Sequence, residues 1–304
     1  MVVKLPSGID INNLIDDLQV FSWEAADILL FYSNILKDSN KRKDLLENLD
    51  HDNPVTLADL KVNKLIINRI KEKYNDITWE IISEENVKNK LFKFNINADW
   101  GWGIDPLDGT KDFIQGSGNY AMHIALNFKK KPIIGVVLIP EKDELWFACG
   151  ERVWCEKRNG SIIKPNLSKN KTLKNMTLVT SKNHRNETLK KLIQKINFSE
   201  VKIMGSIGCK IASIVRGESD IYICLSLPGK TSPKDWDFAA PEAILKAAGG
   251  VITNLDNQEL IYGNSNFEQG GIIVASNSIN THKDICAEIK EIIRKYDIYP
   301  LKFN

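Results

Sequence analysis

The chain has 304 residues, a length that suits one large domain or two of medium size. Hydrophobic residues make up 43% of it and charged residues 26%, which is ordinary for a globular protein. Its 41 basic side chains against 39 acidic ones give a formal net charge of +2, a balance that indicates no electrostatic surface for nucleic acid.

The first third of the chain is predicted to be helical. Apolar residues recur at helical spacing over 15–37 and again over 58–74. Asp59 lies near the start of the second segment, where a carboxylate suits the helix dipole. The structural alternative for Asp59 is that its carboxylate only complements this helix dipole.

The middle of the chain changes to a two-residue period. Over 119–128 the larger apolar side chains alternate, which predicts a strand. The three lysines at 129–131 then form a predicted hairpin turn, and further strands follow as far as Glu156. Segments 79–83 and 98–104 are predicted to be earlier strands of the same sheet.

A segment rich in Lys, Asn and Gly at 156–172 is the best candidate for a boundary. The predicted division is an N-terminal α+β half, 1–155, and a C-terminal α/β half, 156–304. Strand and helix patterns alternate in the second half, which favours layered α/β structure.

Two carboxylates stand three residues apart in the segment 105–110, DPLDGT. Pro106 fixes its own φ and biases Asp105 toward an extended conformation, so Asp105 is expected at the end of a strand. Leu107 and Asp108 form the following turn, where the carbonyl of Leu107 can be exposed. The alternative is structural, with an Asx-turn closing the strand and Asp108 capping the next helix.

Gly109 and Thr110 lead from this turn into a short predicted helix. The first N–H groups of a helix are available to a phosphate. Carboxylates next to a phosphate site are the combination that Mg²⁺ bound together with a phosphorylated substrate requires.

Other acids follow predicted strands or begin predicted helices, and each has a structural alternative. Glu84 and Glu85 follow an apolar strand and are compatible with a solvated loop. Asp237 is a plausible N-cap, with Pro241 in the first turn and glycines at 249–250 ending the helix.

Taken together, these segments resemble the magnesium-dependent, lithium-sensitive phosphatase superfamily typified by inositol monophosphatase. The matching segments occur in the family's order and span most of the chain: VTLAD (55–59), SEE (83–85), DPLDGT (105–110) and WDFAAPEAILKAAGG (236–250). The resemblance implies an α/β fold, namely a layered α-β-α-β-α sandwich, with lithium inhibition and a possible homodimer.

The resemblance also implies the chemistry and the residues that perform it. Two or three Mg²⁺ ions would activate water to hydrolyse a small-molecule phosphate monoester. The carboxylate of Asp59 and the hydroxyl of Thr110 would orient that water, and the N–H groups of Gly109 and Thr110 would face the phosphate. The implied metal ligands are Glu84, Asp105, the carbonyl of Leu107, Asp108 and Asp237. Glu84 is also implied to be a catalytic residue.

Within the superfamily, the chain is most similar to the bisphosphate nucleotidase branch, which removes the 3′-phosphate of 3′-phosphoadenosine 5′-phosphate. Ser206 and Lys210 match that branch's Ser–Lys segment, although Ser206 stands one residue further from the lysine than is typical. The branch often has an arginine just after the residue matching Tyr222, where this chain has none. An inositol phosphate or a sugar phosphate is therefore an alternative substrate. The structural alternative for Lys210 is a solvated position on a helix.

Two rival functions fit the sequence less well. A haloacid-dehalogenase phosphatase needs an aspartate two residues before the second acid, and Pro106 occupies that position. A non-catalytic binding or regulatory member of the fold would be expected to lack at least one metal ligand, yet every position that can be matched carries an acid.

The five cysteines are scattered and form no C-x-x-C pair. The first residues lack the apolar stretch of a signal peptide, and no apolar run approaches the roughly 18 residues that a membrane helix requires. We therefore expect a cytoplasmic protein with reduced thiols, without a membrane or nucleic-acid partner.

Overall fold

The computed structural model describes residues 5–36, 46–47, 55–89, 98–168, 170–181 and 186–300. Within these ranges the chain forms eight α-helices and fourteen strands. The helices are α1 (Ile11–Leu36), α2 (Leu57–Lys73), α3 (Glu84–Lys88), α4 (Thr110–Gln115), α5 (Glu187–Ile196), α6 (Ile207–Val215), α7 (Asp235–Ala247) and α8 (Ile279–Tyr296). No helix of the described ranges is both long enough and apolar enough to cross a membrane.

The strands form two large sheets and one short antiparallel pair. The pair is β1 (Leu46–Glu47) with β2 (Val55–Thr56). The strands of the first sheet, in spatial order, are β3 (Glu80–Ser83), β4 (Trp100–Asp108), β5 (Ala121–Phe128), β6 (Lys131–Ile139), β7 (Glu144–Cys149), β8 (Arg152–Glu156) and β9 (Ile162–Ile163). This sheet is antiparallel except for the parallel pair β3–β4.

The second sheet has five strands and mixed directions. In spatial order its strands are β11 (Glu200–Ile203), β10 (Thr177–Thr180), β12 (Ile221–Leu225), β14 (Ile272–Ser276) and β13 (Val251–Asn254). Strand β10 lies parallel to both of its neighbours, and β14 lies antiparallel to β12 and β13.

Three hydrophobic cores join five layers of helices and sheets. The first core joins α1 and α2 to one face of the large sheet. The second joins the opposite face of that sheet, helices α6 and α7, and the inner face of the five-stranded sheet. The third covers the outer face of the five-stranded sheet with α5 and α8. The predicted α-β-α-β-α sandwich is therefore confirmed.

Strand β5 is buried on both faces, which explains why large apolar residues alternate with small ones along it. Its larger residues Met122, Ile124 and Leu126 belong to the first core, whereas Ala121 and Ala125 face α6 and α7. Small residues on that second face let α7 lie close to the sheet. A Cβ built on Gly135 of the neighbouring strand would stand 2.6 Å from the carbonyl oxygen of Ala240 in α7.

The lysine turn was predicted correctly, while the start of α7 was not. Lys129 and Lys130 have φ values of 48° and 63° and join β5 to β6 as a two-residue hairpin. Helix α7 begins at Asp235 with Lys234 as its N-cap, so the prediction of Asp237 as N-cap is wrong. Pro241 lies inside the helix instead of in its first turn, but Gly249 (φ 97°) does follow the helix end.

The large sheet continues past the predicted boundary at residue 155. Strand β9, at Ile162–Ile163, pairs with β8 as its last strand. The division of the chain into two halves stays a prediction.

Candidate metal centre

Asp105 lies where β4 loses its regular pairing with β5. The register shifts between Asp105 and Asp108, as a bulge would produce. The N–H of Leu107 donates to Asp105 Oδ1 at 3.0 Å, and the Thr110 hydroxyl donates to the Leu107 carbonyl at 3.0 Å. The Asx-turn foreseen as the structural alternative is therefore present, and Asp105 is only 1% exposed.

Asp108 binds the N-terminus of α6, about a hundred residues further along the chain. Its Oδ2 accepts hydrogen bonds from the Ser206 hydroxyl at 2.7 Å, from the N–H of Ile207, and from the N–H of Gly208 at 3.3 Å. Helix α4, which directly follows Asp108, has Gly109 as its N-cap (φ 88°). Asp108 thus accepts the first N–H groups of α6 and does not cap the next helix.

Asp237 reaches the same place from the first turn of α7. Its Oδ2 accepts the N–H of Lys234, the N-cap residue of that helix, at 2.6 Å. Asp105, Asp108 and Asp237 each offer a carboxylate oxygen, and these three oxygens lie within 4.8 Å of one another. Three hard anionic oxygens at such separations form a donor set suited to Mg²⁺.

Burial and mutual repulsion perturb these carboxylates. Burial, followed by the charges of Asp108 and Glu84, raises the pKa of Asp237 from 3.8 to about 8. The pKa of Asp105 is also raised, first by burial and then by Glu84, Asp108 and Asp237. A divalent cation would reverse the sign of the local potential and favour the charged forms, so the electrostatics fit a cation between these groups.

Glu84 begins α3 directly after β3, and Ser83 caps that helix by accepting the N–H of Asn86 at 3.2 Å. The ammonium of Lys88 lies 2.8 Å from Glu84 Oε1 and 2.9 Å from Glu85 Oε1. Glu85 is only 1% exposed, so the solvated-loop alternative is wrong for it. Glu84 is not among the three clustered aspartates, but its charge raises the pKa of Asp59, Asp105 and Asp237.

Asp59 is fully buried in the first turn of α2. Its pKa is raised well above the usual value, mainly by burial and then by Glu84 and Glu85. Asp59 therefore belongs to the same electrostatic cluster as the three aspartates and Glu84. The hydrogen bond described for the Thr110 hydroxyl goes to Leu107, within the DPLDGT turn.

The turn at Gly109 and the segment containing Ser206 and Lys210 touch each other. A Cβ on Gly109 would come within 3.0 Å of both Asn119 O and Ser206 N, so glycine suits both the positive φ and the close approach. Ser206 is the N-cap of α6, and Lys210 Nζ donates to the carbonyl of Ser206 at 3.1 Å.

Lys210 is a buried residue, so its solvated alternative is wrong. Its side chain is 2% exposed and its ammonium lies 5.2 Å from the centre of the Tyr222 ring. Burial lowers the pKa of Lys210, and the charge of Asp108 opposes that effect.

Two residues near the carboxylates were not singled out from the sequence. His123 is fully buried, pairs with Asp105 across β4 and β5, and has Nε2 3.4 Å from Asp108 Oδ2. In the sequence, His123 is a polar residue that alternates with Ala121 and Ala125 along β5, and this pattern could have indicated a role near the site. Lys88 lies four residues after Glu84, and that spacing on a short helix could have indicated the ion pair.

Comparisons with known proteins identify the family of the chain. The profile of the Inositol monophosphatase family matches residues 19–294. The chain is 34% identical over 233 residues to the 3′(2′),5′-bisphosphate nucleotidase CysQ of Buchnera aphidicola, covering 75% of this chain and 82% of that protein. It is 27% identical over 230 residues to the protein of the same name from Escherichia coli K12, covering 74% and 85%.

Solved structures share the fold. An inositol monophosphatase from Anabaena superimposes with a TM-score of 0.69 at 23% identity, covering 93% of this chain and 97% of that one. At this identity the likeness extends to the fold alone.

Proposed function

The chain belongs to the inositol monophosphatase family, a family of phosphatases, and we propose that it is a Mg²⁺-dependent phosphomonoesterase acting on a 3′(2′),5′-bisphosphate nucleotide. The observation that carries the phosphatase chemistry is the convergence of Asp105, Asp108 and Asp237 from two distant parts of the chain. In the proposed reaction, 3′-phosphoadenosine 5′-phosphate gives AMP and phosphate.

In this proposal, two or three Mg²⁺ ions are held by Glu84, Asp105, the Leu107 carbonyl, Asp108 and Asp237. When bound, the ions would lower the pKa of water and neutralise charge on the phosphoryl group and the leaving oxygen. The carboxylates are already in position for the ions, because their bonds to backbone N–H groups hold them in place.

Thr110 and Asp59 orient the attacking water in the proposed mechanism. The Thr110 hydroxyl donates its proton to the Leu107 carbonyl, which leaves the hydroxyl oxygen as an acceptor for a water proton. The Leu107 carbonyl has a second lone pair and can accept that bond while also facing a cation. Asp59 is a buried carboxylate whose raised pKa suits it to receive a proton.

The proposed substrate contacts come from the two segments that meet at Gly109. The N–H groups of Gly109 and Thr110 would contact the phosphate, and Ser206 and Lys210 would line the nucleotide side. Support for a nucleotide comes from the similarity to bisphosphate nucleotidases over three quarters of the chain. Inhibition by Li⁺ and a homodimeric assembly are further expectations from the family.

One observation keeps an inositol phosphate or a sugar phosphate as the second candidate. No arginine occurs between Tyr222 and Asp237, whereas a second phosphate is commonly bound by a bidentate guanidinium. Of the two lysines there, Lys234 is already bonded to Glu268 and the Asn266 carbonyl, both at 3.1 Å. Lys230 is exposed.

A phosphate-release panel tests the proposal. The purified protein is assayed with 3′-phosphoadenosine 5′-phosphate, inositol 1-phosphate and fructose 1,6-bisphosphate, in Mg²⁺ and in EDTA, with and without Li⁺. We expect the nucleotide to have the highest kcat/KM, and only with Mg²⁺. A nucleotide rate no higher than the inositol phosphate rate would overturn the substrate, and no Mg²⁺-dependent release from any of the three would overturn the chemistry.

A further inference from the structure

The ammonium of Lys88 contacts Glu84, the acid whose charge acts on Asp105 and Asp237. It lies 2.8 Å from Glu84 Oε1 and 2.9 Å from Glu85 Oε1, and therefore pairs with both at once. The Lys88 and Glu84 side chains are 24% and 20% exposed, whereas that of Glu85 is 2% exposed. This arrangement differs from a surface ion pair, because solvent screens it only from one side.

The geometry of α3 fixes this contact. Glu84 and Lys88 are the first and last residues of the five-residue helix, four residues apart, and Glu85 is three residues before Lys88. Both spacings bring side chains together on one helix face. The Ser83 hydroxyl accepts the Asn86 N–H, and the Asn89 side-chain amide donates to the Glu85 carbonyl at 2.8 Å, so a side-chain bond holds each end of the helix.

We propose that Lys88 is an internal counter-cation that competes with the divalent cation for Glu84 and thereby sets how much Mg²⁺ the protein needs. This inference rests on the proposed function, in which Glu84 is a metal ligand. With Mg²⁺ absent, Lys88 compensates part of the charge of Glu84 and Glu85. When Mg²⁺ binds Glu84, the charge of the ion repels the ammonium and weakens its pairing with Glu84, while Lys88 can stay paired with Glu85.

The effect has a definite sign in each state. Removing the ammonium leaves Glu84 and Glu85 uncompensated without Mg²⁺, so the metal-free protein becomes less stable. The same change removes both a competitor and a positive charge from the metal's surroundings, so Mg²⁺ binds more tightly. A lysine with a purely structural role would lower the stability in both states and would not tighten Mg²⁺ binding.

The test uses Lys88→Met, with Lys88→Gln as a second neutral variant and Lys88→Arg as the variant that keeps the charge. Lys190→Met is the matched control, because Lys190 pairs with Glu187 at the same i,i+3 spacing on α5, away from the cluster. Mg²⁺ affinity is measured by calorimetry, and the midpoint of thermal unfolding is measured in EDTA.

We expect the two neutral variants to bind Mg²⁺ about tenfold more tightly than wild type and to unfold at a lower temperature in EDTA. Lys88→Arg and Lys190→Met should bind Mg²⁺ as wild type does. Neutral variants that bind Mg²⁺ no more tightly than wild type would overturn this inference alone. A wild-type protein that takes up no Mg²⁺ would overturn the proposed function and the inference with it.

Discussion

Each of the three clustered aspartates forms a bond that the fold itself needs. Asp105 Oδ1 closes the turn in the irregular last part of β4, Asp108 Oδ2 accepts the first N–H groups of α6, and Asp237 Oδ2 accepts the Lys234 N–H at the start of α7. The structural and functional interpretations of these acids are therefore compatible, because each of these bonds uses one oxygen of a group that has two. The backbone bonds hold the carboxylates in place despite their mutual repulsion.

Replacing Asp237 by Asn separates its two roles. The amide oxygen can still accept the Lys234 N–H, so α7 should form. The lost negative charge should weaken Mg²⁺ binding, and phosphate release at limiting Mg²⁺ should fall about 100-fold or more. The measurement is kcat/KM as a function of Mg²⁺ concentration.

The matched control is Asp235→Asn in the same helical turn. Asp235 accepts hydrogen bonds from the Gly263 N–H and the Gln269 side chain, outside the carboxylate cluster. This variant should keep its dependence on Mg²⁺ even if it is less stable. Wild-type turnover of Asp237→Asn at limiting Mg²⁺ would show that Asp237 is not a ligand.

At the scale of the elements, local sequence patterns predicted which helices and strands exist. They did not predict where α7 begins or which distant residues come together. The periods of α1, α2 and β5 were informative because each has one face in a core of large apolar residues. The start of α7 was misjudged because the N-cap is Lys234, a residue without a typical capping side chain, and Asp237 sits at the third helical position.

Long-range contacts could not be derived from spacing. Nothing near Asp108 in the sequence indicates that it caps a helix beginning at Ile207, and only the resemblance to known phosphatases brought Asp237 together with Asp105. The resemblance, for its part, gave no account of Lys88 or His123. Their contacts with the carboxylates were established by burial and distance.

The segment that connects the two sheets is held by one buried carboxylate. Asp220, at the start of β12, is 1% exposed. Its Oδ2 accepts the Lys171 ammonium at 2.8 Å and the Thr177 N–H at 2.7 Å, while its Oδ1 accepts the hydroxyl of Ser168. Asp220 thus binds both ends of the last part of the connection.

We expect Asp220→Asn to lower the free energy of unfolding by about 3 kcal/mol, because it leaves buried donors facing an uncharged amide. Urea unfolding measures the change. The control is Asp256→Asn, which removes the exposed partner of Lys290 and should cost less than about 1 kcal/mol. Equal losses in the two variants would mean that Asp220 is not the anchor of this segment.

Considered as a whole, the molecule places its charged centre where its layers meet. Asp105 and Asp108 come from the large sheet, while Asp237 and the N-terminus of α6 come from the central helical layer. That layer also packs on the five-stranded sheet through the second core. The charge state of the centre should therefore affect the stability of the whole chain and not of one loop.

This coupling predicts how the stability of the metal-free protein depends on pH. The pKa of Asp237 is raised from 3.8 to about 8, so between these values the folded chain keeps a proton that the unfolded chain has lost. Folding then takes up protons, and the free energy of unfolding falls as pH rises, by at most about 1.4 kcal/mol per pH unit for each proton. His282, whose pKa is lowered from 6.5 to about 4, acts in the opposite direction only below pH 6.5.

Urea unfolding in EDTA should therefore show stability decreasing from pH 6.5 to 8, with a smaller decrease for Asp237→Asn. Saturating Mg²⁺ should reduce the decrease, because bound cations keep the clustered carboxylates charged at every pH in this range. Stability in EDTA that rises with pH over this interval would contradict the raised pKa values and the clustering of charge behind them.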